Sequence, residues 1–153
     1  MNIKELRQKA YENILDIVKI IQQSSFDFFN NLDTVKFRVK SEESIKRKAL
    51  KFDGDIAKVY DLIGIRYVLL NEQYSSLLKE SITNINCFEV KQIKDYTLSG
   101  HPDDPSYKAI HLRIVYKDLP VEVQIMDSNM NELEAKTHTD YKNGLLRRKW
   151  TWV

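Results

Sequence analysis

Asp61 and Glu122 are the acids whose settings best suit metal-dependent chemistry, and cations crowd the stretches around them. Asp61 stands at the start of Leu62-Ile63-Gly64-Ile65-Arg66-Tyr67-Val68-Leu69-Leu70, a run otherwise fit for burial, and Glu122 alternates with Val121 and Val123. Two carboxylates that retain waters suit octahedral Mg²⁺, whose remaining ligands usually come from substrate phosphates. Arg38, Lys40, Lys48 and Arg66 strengthen that reading, because carboxylates beside many phosphate-binding cations point to a metal-nucleotide site. The plain alternative for each acid is a surface or ion-paired carboxylate. Arg66 sits inside the apolar run and needs an anion or an ordered acid, since a buried guanidinium without a partner is costly. A phosphate would serve, and so would a buried carboxylate. His111 reads first as a satisfied sheet histidine, and the chain's three histidines argue against zinc. Tyr107 either packs or stacks on a base.

The elements that must hold these residues can be read from periodicity. Leu6, Ala10, Ile14, Ile17, Val18 and Ile21 recur at helical spacing, so an N-terminal helix is expected over 3–29, continuing through Phe26, Phe28 and Phe29. Val35, Phe37 and Val39 alternate with Lys36, Arg38 and Lys40, a strand with its cations on one face. Ser41 is an N-cap for a helix whose apolar stripe is Ile45, Ala49 and Phe52, with Ser44 and Lys48 one turn apart on another face. A turn at Asp53-Gly54-Asp55 and a short helix ended by Gly64 deliver the chain into a central strand over Leu62 to Leu70. Leu77, Leu78 and Ile82 mark a crossover helix, and Phe88 to Ile93 another strand.

Asp95 to Tyr107 carries the strongest loop signal in the chain. Beyond it, Ile110, Leu112, Ile114 and Tyr116 alternate with Ala109, His111, Arg113 and Val115, and Val121, Val123 and Ile125 with Glu122, Gln124 and Met126. A turn over Lys117-Asp118-Leu119-Pro120 would set Ile114 opposite Val123, Leu112 opposite Ile125 and Arg113 opposite Gln124. One face is then apolar, and the other gathers His111, Arg113, Glu122 and Gln124. A last helix from about Asn129 to Lys142 carries Met130 and Leu133, with Gly144 as its stop and a basic, Trp-bearing tail over 143–153 that includes Arg147, Arg148 and Lys149.

Composition bounds the function classes. At 153 residues, 42% hydrophobic and 30% charged, the chain fits one soluble domain, and an ordered fold is expected. A formal net charge of +2 is too small to imply nucleic acid by itself, although Lys and Arg crowd into Lys36 to Lys51. The single cysteine, Cys87, excludes an internal disulfide and a Cys-based zinc cage, and its strand-like neighbours suggest a buried thiol. No apolar run reaches membrane-spanning length and Met1-Asn2-Ile3-Lys4-Glu5 has no signal-peptide core, so a cytoplasmic location without a membrane partner is expected.

Taken together, Arg38-Val39-Lys40-Ser41-x-x-Ser44, Lys48, Asp61-Leu62-x-Gly64-x-Arg66, Lys94-Asp95-Tyr96, Tyr107-Lys108-Ala109-Ile110-His111 and Val121-Glu122-Val123-Gln124-Ile125, followed by Met130, resemble the RelA/SpoT synthetase domain, particularly the single-domain small alarmone synthetases. The resemblance runs from about 35 to 142. It implies an α+β fold, a nucleotidyltransferase-like mixed sheet flanked by helices. It also implies a cytoplasmic pyrophosphokinase that moves the β,γ-pyrophosphate of ATP onto the 3′-hydroxyl of GDP or GTP to make (p)ppGpp, releasing AMP. By motif position Arg38, Lys40, Ser44, Lys48 and Arg66 would hold ATP, Asp61 and Glu122 would hold Mg²⁺, and Glu122 would assist deprotonation of the acceptor. Tyr107 would stack on the acceptor's base, with His111 and Gln124 nearby.

Two departures fall on the acceptor side. Where the family has Pro-Lys-x-Asn-Gly this chain has His101-Pro102-Asp103-Asp104-Pro105-Ser106, and Gln-Ile-Arg-Thr becomes Gln124-Ile125-Met126-Asp127. Loss of those cations opens an alternative, the toxic small synthetases that pyrophosphorylate the 3′ end of tRNA, with the basic tail holding its backbone. A second alternative is a degenerate nucleotide- or RNA-binding module, against which the retained Asp61, Glu122 and donor cations argue. A homo-oligomer and an antitoxin protein stay open as partners.

Overall fold

Asn2 accepts the backbone N–H of Glu5 at 2.9 Å while Glu5 reaches back to the Asn2 N–H at 3.1 Å, and this reciprocal cap starts helix α1 (Ile3–Ser24). Its buried stripe is Ala10, Ile14, Ile17 and Ile21, as the helical spacing predicts. The computed structural model describes residues 1–25 and 30–142. The expected continuation through Phe26, Phe28 and Phe29, the stop at Gly144 and the tail with Arg147, Arg148 and Lys149 lie outside the described residues.

Strand β1 (Leu32–Val39) begins three residues before the expected alternation, and helix α2 (Glu42–Ala49) starts on Ser41, whose hydroxyl accepts the Ser44 N–H at 3.1 Å. Asp53 and Gly54 then take positive φ in the expected turn, and Asp55 caps a single 3-10 turn at Ile56–Lys58. Strand β2 (Ile63–Leu69) is buried at every position. Gly64 lies inside this strand and does not terminate a helix: it pairs with Arg38 on one side and Glu122 on the other. Helix α3 (Ser75–Thr83) makes the crossover; Leu78 and Ile82 are buried, whereas Leu77 faces solvent. Cys87 is exposed, contrary to expectation, because it occupies the turn before the chain dips into the core at Phe88.

Strands β3 (Glu89–Asp95), β4 (Ile110–Tyr116) and β5 (Leu119–Asp127) complete a five-stranded mixed sheet of order β1-β2-β5-β4-β3, in which only β2 and β5 run parallel. The β4-β5 turn is two residues, Lys117 and Asp118, both at positive φ, so Ile114 faces Val121, Leu112 faces Val123 and Arg113 faces Glu122. That is two positions from the expected register. A slip of two leaves every side chain on its expected face. Helix α4 (Ser128–Lys142) follows β5 directly.

The α+β architecture divides the sheet into two faces. The apolar face carries Ile63, Ile65, Leu112, Ile114, Val121 and Val123 in one core with the stripes of α1 and α3. The opposite face carries polar rows across all the strands: Lys36, Arg66, Gln124, His111 and Lys94, then Arg38, Gly64, Glu122, Arg113 and Gln92. Helix α4 packs over part of this face through Met130, which joins Met126, Tyr107 and Ala109 in a small second cluster. Among the described residues no helix is long and apolar enough to cross a membrane.

Candidate active site

Beside α4, the polar rows form the floor of an open cleft of about 600 Å³, with α2 and the loop after β3 as walls. It gathers Arg38, Lys40, Ser44, Lys48, Asp61, His111 and Glu122 from the sequence-predicted residues. Seven lysines and arginines against two carboxylates make it a site for a polyanion.

Asp61 organises one end of the cleft. Its Oδ2 lies 3.0 Å from Lys40 Nζ, 3.2 Å from Lys48 Nζ and 3.9 Å from Arg38 Nη2. Burial pushes the Asp61 carboxyl up, but the charges and hydrogen bonds of Lys40 and Lys48 outweigh it and hold the group below the usual carboxylate range. Burial lowers Arg38 and Lys40 from their ordinary values despite the opposing pull of Asp61. One carboxylate cannot neutralise three cations, so the cluster keeps an excess of positive charge.

Glu122 is held differently. Its Oε1 lies 3.3 Å from His111 Nδ1, and His111 Nε2 lies 2.6 Å from the Tyr107 hydroxyl. The carboxylate favours a proton on Nδ1, so in the neutral ring Nε2 accepts from Tyr107. Tyr107 is 1% exposed, packed with Ala109, Met126 and Met130, and orients His111 from behind. The aromatic ring that lines the cleft here is Tyr96, 5.4 Å from His111 and perpendicular to it.

Arg66 and Gln124 also lie behind the cleft wall. Arg66 Nε donates to Gln124 Oε1 at 2.9 Å, Nη1 donates to Asn131 Oδ1 at 3.2 Å, and Nη2 is 3.9 Å from Glu134 Oε1. Arg66 and Glu134 are each 3% exposed, so of the partners open to Arg66 this structure supplies the buried carboxylate, from α4.

Residues 37–145 match the family described as a region found in RelA / SpoT proteins. The chain belongs to the RelA/SpoT family. A probable guanosine-3′,5′-bis(diphosphate) 3′-pyrophosphohydrolase of Mycoplasma genitalium is 26% identical over 159 residues, covering 93% of this chain and 22% of that protein. The chain thus spans about a fifth of the length of the curated relatives it matches. Small alarmone synthetase 1 from Bacillus subtilis, solved bound to its product pppGpp, has the same fold, with a TM-score of 0.73, 24% identity and coverage of 94% of this chain and 80% of that one. Small alarmone synthetase 2 from Bacillus subtilis gives a TM-score of 0.75 at 23% identity, covering 95% of this chain and 83% of that one.

Within the RelA/SpoT fold several cleft residues escaped sequence reasoning. Arg47 and Lys51 join Ser44 and Lys48 at the spacing of one helical face, a signal present in the sequence. Tyr60, Gln92 and His101, together with Lys94 of the Lys94-Asp95-Tyr96 motif and Arg113, which the alternation had already placed on the polar face, also line the cleft. The acids of the unusual loop do not: the Asp103 side chain is 90% exposed, and Asp104 Oδ1 accepts from the backbone and hydroxyl of Ser106. Gly100 shapes that loop at φ +77°, where a Cβ would strike the Pro105 carbonyl. Lys94 and Arg113 add cations on the β3-β4 side of the cleft.

Asp61 and Glu122 are the carboxylates that could hold a divalent cation. Asp61 Oδ1 is buried and takes no hydrogen bond from the described residues, which leaves a hard oxygen for a metal. No group of three or more such ligands gathers among the described residues, so further ligands would come from water and phosphate oxygens.

Proposed function

We propose that this RelA/SpoT chain is an ATP-dependent pyrophosphokinase that transfers the β,γ-pyrophosphate of ATP to the 3′-hydroxyl of a guanine nucleotide, GDP or GTP. The observation that carries the reading is the pairing across Gly64 of the cation cluster around Asp61 with Glu122. A residue without a side chain separates Arg38 from Glu122 on the sheet, so phosphates could lie directly on the backbone between them. The likeness to the small alarmone synthetases supports the same assignment.

Phosphoryl-type transfer asks a protein mostly for positioning and charge. Arg38, Lys40, Lys48 and Ser44 would hold the ATP triphosphate at the donor end. The acceptor's 3′-oxygen attacks the β-phosphorus, the bond from that phosphorus to the α-phosphate oxygen breaks, and AMP leaves. Glu122, oriented by His111, takes the hydroxyl proton. Asp61 and Glu122 would hold Mg²⁺, whose chemistry there would be to offset the negative charge of the phosphates.

The test is incubation with γ-labelled ATP, Mg²⁺ and, separately, GDP, GTP, ATP or bulk tRNA. Label entering GDP or GTP with equimolar AMP release is the expected result. Label released only as inorganic phosphate would overturn the proposal, and label confined to tRNA would replace the acceptor with a tRNA 3′ end.

A further inference from the structure

Arg38, Lys40 and Lys48 converge on Asp61, whereas the Arg113 side chain makes no ion pair or hydrogen bond among the described residues and lies over Tyr60. It lies on β4 opposite Glu122, on the side away from Arg38 and Gly64. Its guanidinium carbon is 3.4 Å from the centroid of the Tyr60 ring, and Lys48 Nζ is 3.8 Å from the same centroid. Contact through the guanidinium face leaves the N–H groups in its plane able to bind an anion with two parallel hydrogen bonds. Tyr60 and Arg113 also form the partition between the cleft and a smaller cavity of about 310 Å³ walled by Val115 and Pro120. The guanidinium is therefore backed by a ring and held at the cleft's edge.

We infer that Arg113, positioned by Tyr60, is a ligand for the 5′ di- or triphosphate of the acceptor nucleotide, and so selects nucleotides over acceptors without a 5′ polyphosphate. The inference rests on the pyrophosphokinase reading for the identity of the ligand. A 3′-hydroxyl placed at Glu122 has the donor cations on the β1 side, so the rest of the acceptor extends toward β4, where Arg113 lies.

The experiment is calorimetric titration of the whole chain with GMP, GDP and GTP, the donor side saturated with a non-transferable ATP analogue. Loss of a charged hydrogen-bond partner costs about 10- to 100-fold in affinity, so the unmodified chain should prefer GDP over GMP by about that factor. Arg113→Gln should erase the preference while leaving binding of the ATP analogue unchanged. Tyr60→Phe, which keeps the ring, should retain it, and Tyr60→Leu should lose most of it. A GDP-to-GMP ratio unaltered by Arg113→Gln overturns the inference, as does a chain that binds no guanine nucleotide. Because the readout is binding, an Arg113-dependent ratio without pyrophosphate transfer would sink the activity and leave this assignment standing; transfer with an unaltered ratio would do the reverse.

Discussion

Replacing Asp61 with Asn keeps the volume of the side chain and removes the charge on which Lys40, Lys48 and Arg38 converge. Breaking a buried ion pair from one side costs about 3–5 kcal/mol, because the remaining charge stays buried without its partner. Here the stranded cations keep some water, with side chains 11%, 13% and 19% exposed, and the amide oxygen can still accept from Lys40. The expected loss is therefore at the lower end, about 3 kcal/mol. For a chain of this size that lowers the melting temperature by about 6–12 °C. The effect has a pH signature. A carboxylate held below its ordinary value stabilises the fold above the unfolded value of about 3.9, and that stabilisation disappears as pH falls through the lower folded value. The gap between Asp61→Asn and the unmodified chain should thus stay constant through the neutral range and close only in strong acid. Urea unfolding of both proteins from about pH 7 down to about pH 2 measures it. A variant as stable as its parent at neutral pH, or a gap that persists unchanged into strong acid, would refute the electrostatic account of this cluster. Activity should be lost in either event.

Glu122→Gln should lower turnover by about 10²- to 10⁴-fold, with a melting temperature close to that of the parent, since volume and hydrogen-bonding capacity are kept; normal turnover at saturating Mg²⁺ would remove Glu122 from the chemistry. Tyr107→Ala should cost about 3–5 kcal/mol in denaturant unfolding because the ring is fully buried, while Tyr107→Phe, losing the bond to His111, should cost about 1 kcal/mol. Equal losses for the two variants would contradict the packing role. Gly100→Ala should destabilise the loop by about 1–3 kcal/mol, and a crystal structure should show His101 displaced from the cleft; an unmoved loop at full stability would disprove the close approach to Pro105.

Legibility from sequence followed the range of the interaction. The alternations in β4 and β5 assigned faces correctly, since the period of two is local. The register missed by two because Lys117 and Asp118 form a two-residue turn at positive φ without the glycine that usually marks one. Motif spacing grouped Arg38, Lys40, Lys48 and Asp61 in one site but did not show that the three cations pair with Asp61 itself, because they reach it from different elements. By contrast, the partner of Arg66 was invisible: Glu134 lies on a helix whose packing no local pattern specifies, and expectation had placed Leu133 there, which is exposed. The roles of Tyr96 and Tyr107 depend on how the loop between them folds back, which short-range signals do not encode.

The sheet's outer strands bear on solubility. β1 and β3 are edges, where unpaired backbone groups invite a second chain to add on, and each exposes one large apolar side chain, Phe37 at 46% and Ile93 at 47%. Lys36 and Arg38 flank the first, and Lys94 follows the second, with Lys91 two positions before it. Charge beside an exposed apolar edge residue discourages strand addition and fibril growth. Lys94 thus carries two duties at once, lining the cleft and guarding an edge. Neutralising Lys94 to alter nucleotide binding would also raise the tendency to aggregate, so loss of activity in such a variant has to be read alongside its state of association.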